Sequence, residues 1–318
     1  MKIIIIGRLA EYNAEYFYVK YLRKLKEEVE LLDMFQGIHH HFFRSIIHSR
    51  TGLLKFTLGG LDINRKLVAY LRSLNPDAII VFRGELLSEH TLKSIKDNFH
   101  LYLFYPDVFK FLNSISDRIY LYDSVFTAAN FHKPYIDRGA KRVLTVPWAC
   151  DPEFHKFINE IPKVYKASFI GTAYPERRRM LQGLKNVEIF GNYWWGFDRK
   201  CHPAVKGEEY VNTINRSLIN INLQTRASVL GDAPTMRTFE IAACRGFQIS
   251  DYMHSIKIYF PRIPTFFERQ DLMELITYYS NNIPEAEEIA LDSQEMCYRK
   301  FTYEIASKRI LSYIHNPG

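Results

Sequence analysis

The sequence predicts an α/β protein of two Rossmann-like domains that face each other across a cleft. Its 318 residues suffice for two domains of roughly 150 residues each. Apolar strands alternate with amphipathic helices up to residue 148, and a similar alternation starts again after the segment CDPEFHK. We therefore expect a first domain at residues 1–150 and a second at residues 151–318, with the C-terminal helix crossing back to the first domain.

The first domain opens on KIIIIG, a continuous apolar run that is typical of a parallel strand covered on both faces. Further strands are predicted in VELLDMF, PDAIIVFRG, LYLFYPD, SVFTAAN and RVLTVPW. Helices are predicted in NAEYFYVKYLRKLKEE, NRKLVAYLRSLN, SEHTLKSIKDN and KPYIDRGA. Ser88 is the expected N-cap of the third of these helices. The segment from Gly37 to Gly60 is the least regular part of the pattern.

The second domain repeats the alternation. Its strands are predicted in ASFIGT, VEIFGN, LININL and GFQIS. Its helices are predicted in PERRRMLQGL, GEEYVNTINRS, the segment that starts with TMRTFE, RQDLMELITYYSNN and IPEAEEIALDSQEMCYRKF. Pro175 suits the first turn of a helix, where its missing N–H group costs nothing.

Composition excludes several classes of protein. A hydrophobic content of 47% and a charged content of 24% indicate a globular chain. No apolar run reaches the roughly 18 residues of a membrane span, and the first run is too short for a signal peptide. Four scattered cysteines favour a reducing cytoplasm without a disulfide framework or zinc site. The net charge of +7 indicates an anionic partner, and peripheral contact with the inner membrane face stays open.

Ligands of such folds bind beyond the carboxyl ends of the strands. In the first domain these positions hold Gly7, the tripeptide Arg83-Gly84-Glu85, and Asp107. The segment GRLAEY after the first strand lacks the second and third glycines of the dinucleotide fingerprint, which argues against a nicotinamide enzyme. In the second domain the segments GTAYPERRR and PTMRTFE each bring arginine to a predicted helix start, an arrangement that suits phosphate.

Three segments carry a resemblance to a known family. LTVPWACDPEFHK, SFIGTAYPERRRMLQGL and MRTFEIAACRGFQISDY resemble the CgeB-like, spore-maturation-type glycosyltransferases. The resemblance covers roughly residues 75–315, with these motifs in the family's order. It implies membership of the retaining, metal-independent GT-B group, whose enzymes have two Rossmann domains.

The resemblance also implies roles for particular residues. The wider group has an acidic residue and a glutamate separated by seven residues at the donor site, and Asp232 and Glu240 fit that pattern. It implies that Glu240 accepts hydrogen bonds from ribose hydroxyls, that Arg237 meets the diphosphate, and that Asp232 lies near the transferred sugar. This chemistry is sound, because a carboxylate suits a vicinal diol and a guanidinium suits phosphate oxygens.

The remaining candidates follow either from their positions after predicted strands or from the family resemblance. Asp107 joins Asp232 as a catalytic candidate. The other donor-binding candidates are Gly7, Gly171, Thr172, Arg177, Arg178 and Thr238. The candidate cleft residues are Arg83, Gly84, Glu85 and Trp194. No metal site and no cofactor are expected, since the nucleotide-diphosphate sugar is a co-substrate and the histidines 39–41 cannot easily converge on one ion.

Several of these residues have structural alternatives. Glu240 could cap a helix start, and Arg237 could form a surface ion pair. Asp107 could serve only as a turn residue after Pro106. Trp194 and Trp195 could flank the nucleotide base or pack in the core.

The function that best accounts for the sequence is transfer of a sugar from a nucleotide-diphosphate sugar to an unidentified acceptor. That acceptor is a glycan, a lipid-linked glycan, a protein or a small molecule. The alternatives are a non-catalytic nucleotide-sugar binder and a sugar-nucleotide epimerase. Nucleic acid is a poor candidate, because the lysines and arginines are spread along the chain rather than clustered.

Overall fold

The computed structural model describes residues 1–8, 10–33, 60–106 and 115–315. The chain divides into two compact units. Unit 1 comprises residues 1–146 and 307–318, and unit 2 comprises residues 147–306. Each unit contains a parallel sheet with connecting helices, so the predicted fold of two α/β domains is confirmed. The predicted return of the C-terminal helix is also observed, because residues from Ser307 onwards cluster with unit 1.

The sheet of unit 1 has six strands among the described residues. They are β1 Lys2–Gly7, β2 Glu28–Asp33, β3 Ala78–Phe82, β4 His100–Phe104, β5 Ser124–Thr127 and β6 Val143–Thr145. Their order is β2-β1-β3-β4-β5-β6, with every neighbouring pair parallel. The four isoleucines of β1 are at most 1% exposed, which explains the continuous apolar run in the sequence.

The sheet of unit 2 has five described strands. They are β7 Tyr165–Ile170, β8 Val187–Phe190, β9 Ser217–Asn222, β10 Gln248–Asp251 and β11 Thr265–Phe266. Their order is β11-β10-β9-β7-β8, again with parallel neighbours. Because parallel strands all end at the same edge, the segments after β7, β8, β9 and β10 lie side by side.

The described helices connect these strands. In unit 1 they are α1 Ala14–Lys24, α2 Gly60–Leu74, α3 Glu89–Lys96 and α4 Lys133–Ile136. In unit 2 they are α5 Pro175–Leu181, α6 Gly207–Arg216, α7 Arg226–Leu230, α8 Met236–Ala243, α9 His254–Tyr259, α10 Arg269–Asn281 and α11 Ile283–Lys300. The last helix, α12 Tyr303–His315, begins in unit 2 and continues in unit 1. Ser88 caps α3 as predicted, since its Oγ accepts a hydrogen bond from the Thr91 N–H group.

Helix α12 supplies part of the core of unit 1. Its Ile310 and Ile314 are buried, and the ring of Tyr313 packs edge-on against Phe126 of β5. The Tyr313 hydroxyl lies 3.0 Å from Oγ of Ser124 on the same strand. Helix α12 therefore completes the core of unit 1.

The structure differs from the predicted elements in a few places. Helix α2 begins at Gly60, four residues before the predicted segment. Helices α7 and α9 and the two-residue strand β11 are not predicted, because so few residues give no measurable periodicity. Residues 34–59, which include the three histidines, lie outside the described residues, and so does Asp107. No helix in the described part of the chain is long and apolar enough to cross a membrane.

Candidate functional site

The strand ends of unit 2 bring two arginines together. Arg177 lies in the first turn of α5, after β7, and Arg237 is the second residue of α8, after β9. Both guanidinium groups lie over the ring of Phe169, at 5.4 and 5.5 Å from its centroid. We refer to Arg177, Arg237 and the adjacent Gly171 as the two-arginine site.

Arg177 is held by backbone carbonyls rather than by a carboxylate. It is only 3% exposed, and its Nη1 and Nη2 atoms donate to the carbonyl oxygens of Thr172 and Leu223 at 3.1 and 2.9 Å. Its Nε atom is buried without a hydrogen-bond partner in the described part of the chain. Burial, with the neighbouring charge of Arg237, lowers the pKa of Arg177 to about 9. The group is therefore still cationic at neutral pH.

Arg237 is the second unpaired cation of this site. Its Nη1 atom lies 3.5 Å from the Leu223 carbonyl oxygen, a weak contact. Burial lowers its pKa, while Tyr210 and Glu240 act in the opposite direction. Among the residues that the structure describes, no carboxylate forms an ion pair with either guanidinium. Two neighbouring cations, one buried and one half-buried, with carboxylates nearby but none of those described in an ion pair with them, favour a bound anion.

Two glycines make room for this arrangement. A Cβ atom on Gly171 would lie 2.9 Å from Nη2 of Arg237 and 3.3 Å from Nη1 of Arg177. A Cβ atom on Gly191, after β8, would lie 2.0 Å from the Gly171 carbonyl oxygen, a severe clash. Glycine at 171 therefore lets the guanidinium groups approach the strand end, and glycine at 191 lets the two strand ends pack closely. The predicted Thr172 contributes through its backbone carbonyl.

Glu240 lies next to this site but not at a helix start. It is the fifth residue of α8, whose N-cap position is Thr235, so the capping alternative is excluded by position. Glu240 is 6% exposed. The Tyr210 hydroxyl donates to its Oε2 atom at 2.6 Å, and Nε2 of His155 lies 3.6 Å from its Oε1 atom.

Arg178 and Trp194 shape the loop after β8 instead of joining the two-arginine site. Arg178 donates through Nη2 to the carbonyl oxygens of Tyr193 and Trp195, at 2.5 and 2.9 Å. Trp194 is 6% exposed, and its indole N–H group donates to the Gly171 carbonyl at 2.9 Å. Trp194 therefore packs in the core of unit 2, whereas Trp195 is 78% exposed.

Thr238 and Asp232 are also occupied by neighbouring residues. The Thr238 hydroxyl is fully buried and accepts hydrogen bonds from Asn222 and Gln224, so it supports the end of β9. Oδ1 of Asp232 accepts from the N–H group and the hydroxyl of Ser255, which ties the loop before α8 to the start of α9. Their roles toward a donor sugar stay predictions.

Asp251, at the end of β10, is a polar group of this edge that sequence reasoning did not select. Its Oδ2 atom accepts a hydrogen bond from the Gln224 N–H group. Burial raises the pKa of Asp251 to about 6, although the charge of Arg177 opposes the shift. The sequence signal was weak, since one aspartate after a short strand also fits a simple turn.

We expect the pH dependence of stability to report on Asp251. Its folded pKa lies above its ordinary value of 3.8, so the folded state binds the extra proton. That stabilisation is complete below pH 3.8 and is lost as the pH rises through 6. The variant Asp251→Asn keeps an oxygen for Gln224 but does not titrate. Between pH 4 and 7 it should gain about 1–2 kcal/mol of unfolding free energy relative to wild type.

Urea unfolding at several pH values measures this difference. Asp97→Asn is the matched control, because it removes a carboxylate from an exposed position. Parallel pH curves for wild type and Asp251→Asn would contradict the assignment.

The strand ends of unit 1 form a separate cluster. A Cβ atom on Gly7 would lie 2.9 Å from Cγ of Glu15, a carboxylate on α1 that is 8% exposed. Burial raises the pKa of Glu15, and the charge of Arg83 opposes that shift. Arg83 and Gly84 both have positive φ angles, of 70° and 75°. Sequence reasoning missed Glu15, whose only signal was a charge on the apolar face of α1.

Gly84 leaves space for an aromatic hydroxyl. A Cβ atom there would lie 2.7 Å from Oη of Tyr122. The carbonyl oxygen of Glu85 lies 3.5 Å from a guanidinium nitrogen of Arg118. In the described ranges, no group of three or more histidine, cysteine, aspartate or glutamate residues is arranged to hold a metal ion.

Comparison with known protein families gives a match in the second half of the chain. Residues 174–312 match the family model Glyco_trans_1_2, described as glycosyl transferase-like. The matched range includes Arg177, Arg237 and Glu240. No curated protein sequence matches the chain at a significant level. The predicted enzyme class, a glycosyltransferase, is confirmed by the family match.

Solved structures with the same fold match almost the whole chain. HepE from Anabaena in complex with UDP-glucose matches with a TM-score of 0.67 and 11% identity, over 99% of both chains. Sucrose-phosphate synthase from Thermosynechococcus elongatus matches with a TM-score of 0.71 and 10% identity, over 100% of this chain and 99% of that one. A glycosyltransferase from Rickettsia africae matches with a TM-score of 0.63 and 12% identity, over 98% and 97%. The chain therefore has a GT-B-type fold.

Proposed function

We propose that the two-arginine site binds the diphosphate of a nucleotide sugar, and that the protein transfers the sugar to an acceptor with retention and without a metal. The observation that carries this proposal is the pair of adjacent guanidinium groups, one buried and one half-buried, that form no ion pair with a carboxylate among the described residues. A diphosphate supplies the missing negative charge and offers several oxygens for the N–H groups of a guanidinium fork.

The same two cations suit the chemical step. Transfer breaks the bond between the anomeric carbon and a β-phosphate oxygen, and the electron pair moves onto the diphosphate. The acceptor oxygen bonds to the anomeric carbon, and its proton passes to an oxygen of the leaving diphosphate. Fixed positive charge at the leaving diphosphate lowers the barrier, since the charge develops where Arg177 and Arg237 already lie. In metal-dependent transferases a divalent cation stabilises this charge on the leaving diphosphate.

Glu240 lies close enough to Arg237 for the charges to interact, so a nucleotide bound at the arginines brings its ribose near this carboxylate. An ionised carboxylate accepts hydrogen bonds from two hydroxyls at once. The UDP-glucose complex of HepE, which shares the fold, supports a nucleotide sugar as the donor. The order of the three sequence motifs supports a CgeB-like enzyme, and the basic net charge suits a cytoplasmic enzyme at an anionic membrane face.

We expect nucleoside diphosphates to raise the melting temperature, and EDTA to leave the effect unchanged. A ligand at 100 times its dissociation constant stabilises the folded state by about 2.7 kcal/mol, which shifts the melting temperature by several degrees. A thermal-shift panel of UDP, GDP, ADP and their sugars, with and without EDTA, measures this. Stabilisation that requires added Mn²⁺ or Mg²⁺ would overturn the metal-independent part of the proposal.

The alternatives differ in what happens after binding. A non-catalytic binder would show the thermal shift but would release no nucleoside diphosphate from its donor. An epimerase would convert the donor sugar with no acceptor present. Mass spectrometry of the donor, with and without a mixture of candidate acceptors, distinguishes the three.

A further inference from the structure

We propose that Tyr210 and His155 are positioning residues that fix the Glu240 carboxylate, and that this fixation sets the preference for ribose over 2′-deoxyribose in the donor. The inference rests on the proposed function, because it assigns Glu240 to the ribose. It concerns two residues that do not themselves contact the nucleotide.

Tyr210 holds one oxygen of the carboxylate. It reaches Glu240 from the neighbouring helix α6, and the distance of 2.6 Å between Oη and Oε2 is that of a short, charge-assisted hydrogen bond. Burial, with the nearby charge of Glu240, raises the pKa of the Tyr210 hydroxyl well above its ordinary value. The hydroxyl therefore stays a proton donor throughout the physiological range.

His155 faces the other oxygen, and the backbone fixes its tautomer. Its Nδ1 atom accepts a hydrogen bond from the Asp151 N–H group at 3.1 Å, so the proton of a neutral ring is on Nε2. Nε2 lies 3.6 Å from Oε1 of Glu240 and presents that proton to it. The turn is closed by a hydrogen bond from the His155 N–H group to the Asp151 carbonyl at 2.6 Å, and the side chain is 2% exposed. The ring therefore has little freedom to rotate.

These two contacts leave acceptor capacity for a diol. A carboxylate has about four acceptor positions, two on each oxygen. Tyr210 uses one position on Oε2, and His155 faces one on Oε1, so each oxygen keeps a second position. A vicinal diol needs both oxygens at once, and rotation of the carboxylate would remove one of its two partners. Holding the carboxylate still thus favours a sugar with two hydroxyls over one with a single hydroxyl.

A purely structural role predicts something different. The ring of Tyr210 packs against a buried apolar cluster between α6 and α8 that contains Val211, Ile214, Ile241 and Cys244. Tyr210→Phe keeps this ring and removes only the hydroxyl. Tyr278→Phe is the matched control, because its hydroxyl also donates to a glutamate, Oε2 of Glu285 at 2.8 Å, and has no hydrogen bond to Glu240 or His155 among the described residues.

A second variant tests the histidine. His155→Asn places an amide oxygen near the position of Nδ1, which can still accept the Asp151 N–H group. It removes the Nε2 proton that faces Glu240. A change in ribose selectivity in this variant would therefore come from the lost contact and not from an opened turn.

The experiment compares a ribonucleoside diphosphate with its 2′-deoxy analogue by calorimetry, using whichever of UDP, GDP and ADP gives the largest thermal shift. Wild type and Tyr278→Phe should prefer the ribonucleotide by about tenfold or more, the loss expected when one charge-assisted hydrogen bond is missing. Tyr210→Phe and His155→Asn should reduce the preference to about threefold or less, mostly through weaker binding of the ribonucleotide.

The outcomes separate this inference from the function on which it rests. If Tyr210→Phe keeps the wild-type preference, or if Tyr278→Phe loses it equally, the inference is overturned while the proposed function stands. A wild type that binds both forms equally would overturn the ribose assignment of Glu240 and the inference with it. A protein that binds none of the three diphosphates would overturn the proposed function itself.

Discussion

Replacing Arg237 with alanine is expected to weaken the binding of a nucleoside diphosphate about ten- to hundredfold. Loss of a hydrogen bond to a charged group costs about 1.5–3 kcal/mol, and each 1.4 kcal/mol is a factor of ten in affinity. The free nucleoside should bind the variant almost as well as it binds wild type, because the nucleoside carries no diphosphate. Isothermal calorimetry with both ligands measures the two effects.

Arg179→Ala is the control for this prediction. Arg179 is an exposed cation of α5, the helix that carries Arg177, so it tests the effect of net charge alone. Equal losses in the two variants would show that general electrostatics, and not the two-arginine site, attracts the nucleotide.

Glu240→Gln should weaken the binding of nucleoside and nucleoside diphosphate alike, again by about ten- to hundredfold. The amide keeps the shape of the side chain but offers one acceptor oxygen where the carboxylate offers two. The contrast with Arg237→Ala, which should affect only the diphosphate, assigns the two residues to different parts of the ligand.

The melting temperature of the Glu240→Gln protein provides the check. Wild-type nucleotide affinity together with a lower melting temperature would mean that Glu240 serves only the packing of α8 against Tyr210 and His155. The ribose assignment would then be withdrawn.

Most strands of each sheet could be anticipated because the signal for a buried strand is local in the sequence. Runs such as that of β1 are buried on both faces, and only parallel strands covered by helices need this. The arginines of the candidate site could be anticipated because each follows a strand directly. What links them, the carbonyl of Leu223, is 46 residues from Arg177 and has no signature in the sequence.

Neighbouring residues show where sequence reasoning fails. Arg177 and Arg178 are adjacent on α5, and an α-helix turns by about 100° per residue, so they point in different directions. The burial of Arg177 and the contact of Arg178 with the loop after β8 depend on partners brought by the fold. His155 and Asp251 were missed for the same reason, since their neighbours Glu240 and Gln224 are distant in the chain.

Because α12 returns to unit 1, that unit can complete its core only after unit 2 has been synthesised. Domains generally fold as units while the ribosome extends the chain, the N-terminal one first. Here unit 1 emerges first but lacks Ile310, Tyr313 and Ile314 until α12 has been made, whereas unit 2 is complete at residue 306. The apolar surface under α12 therefore stays uncovered while the whole of unit 2 is made. A chain truncated after residue 306 carries a complete unit 2 and an incomplete unit 1.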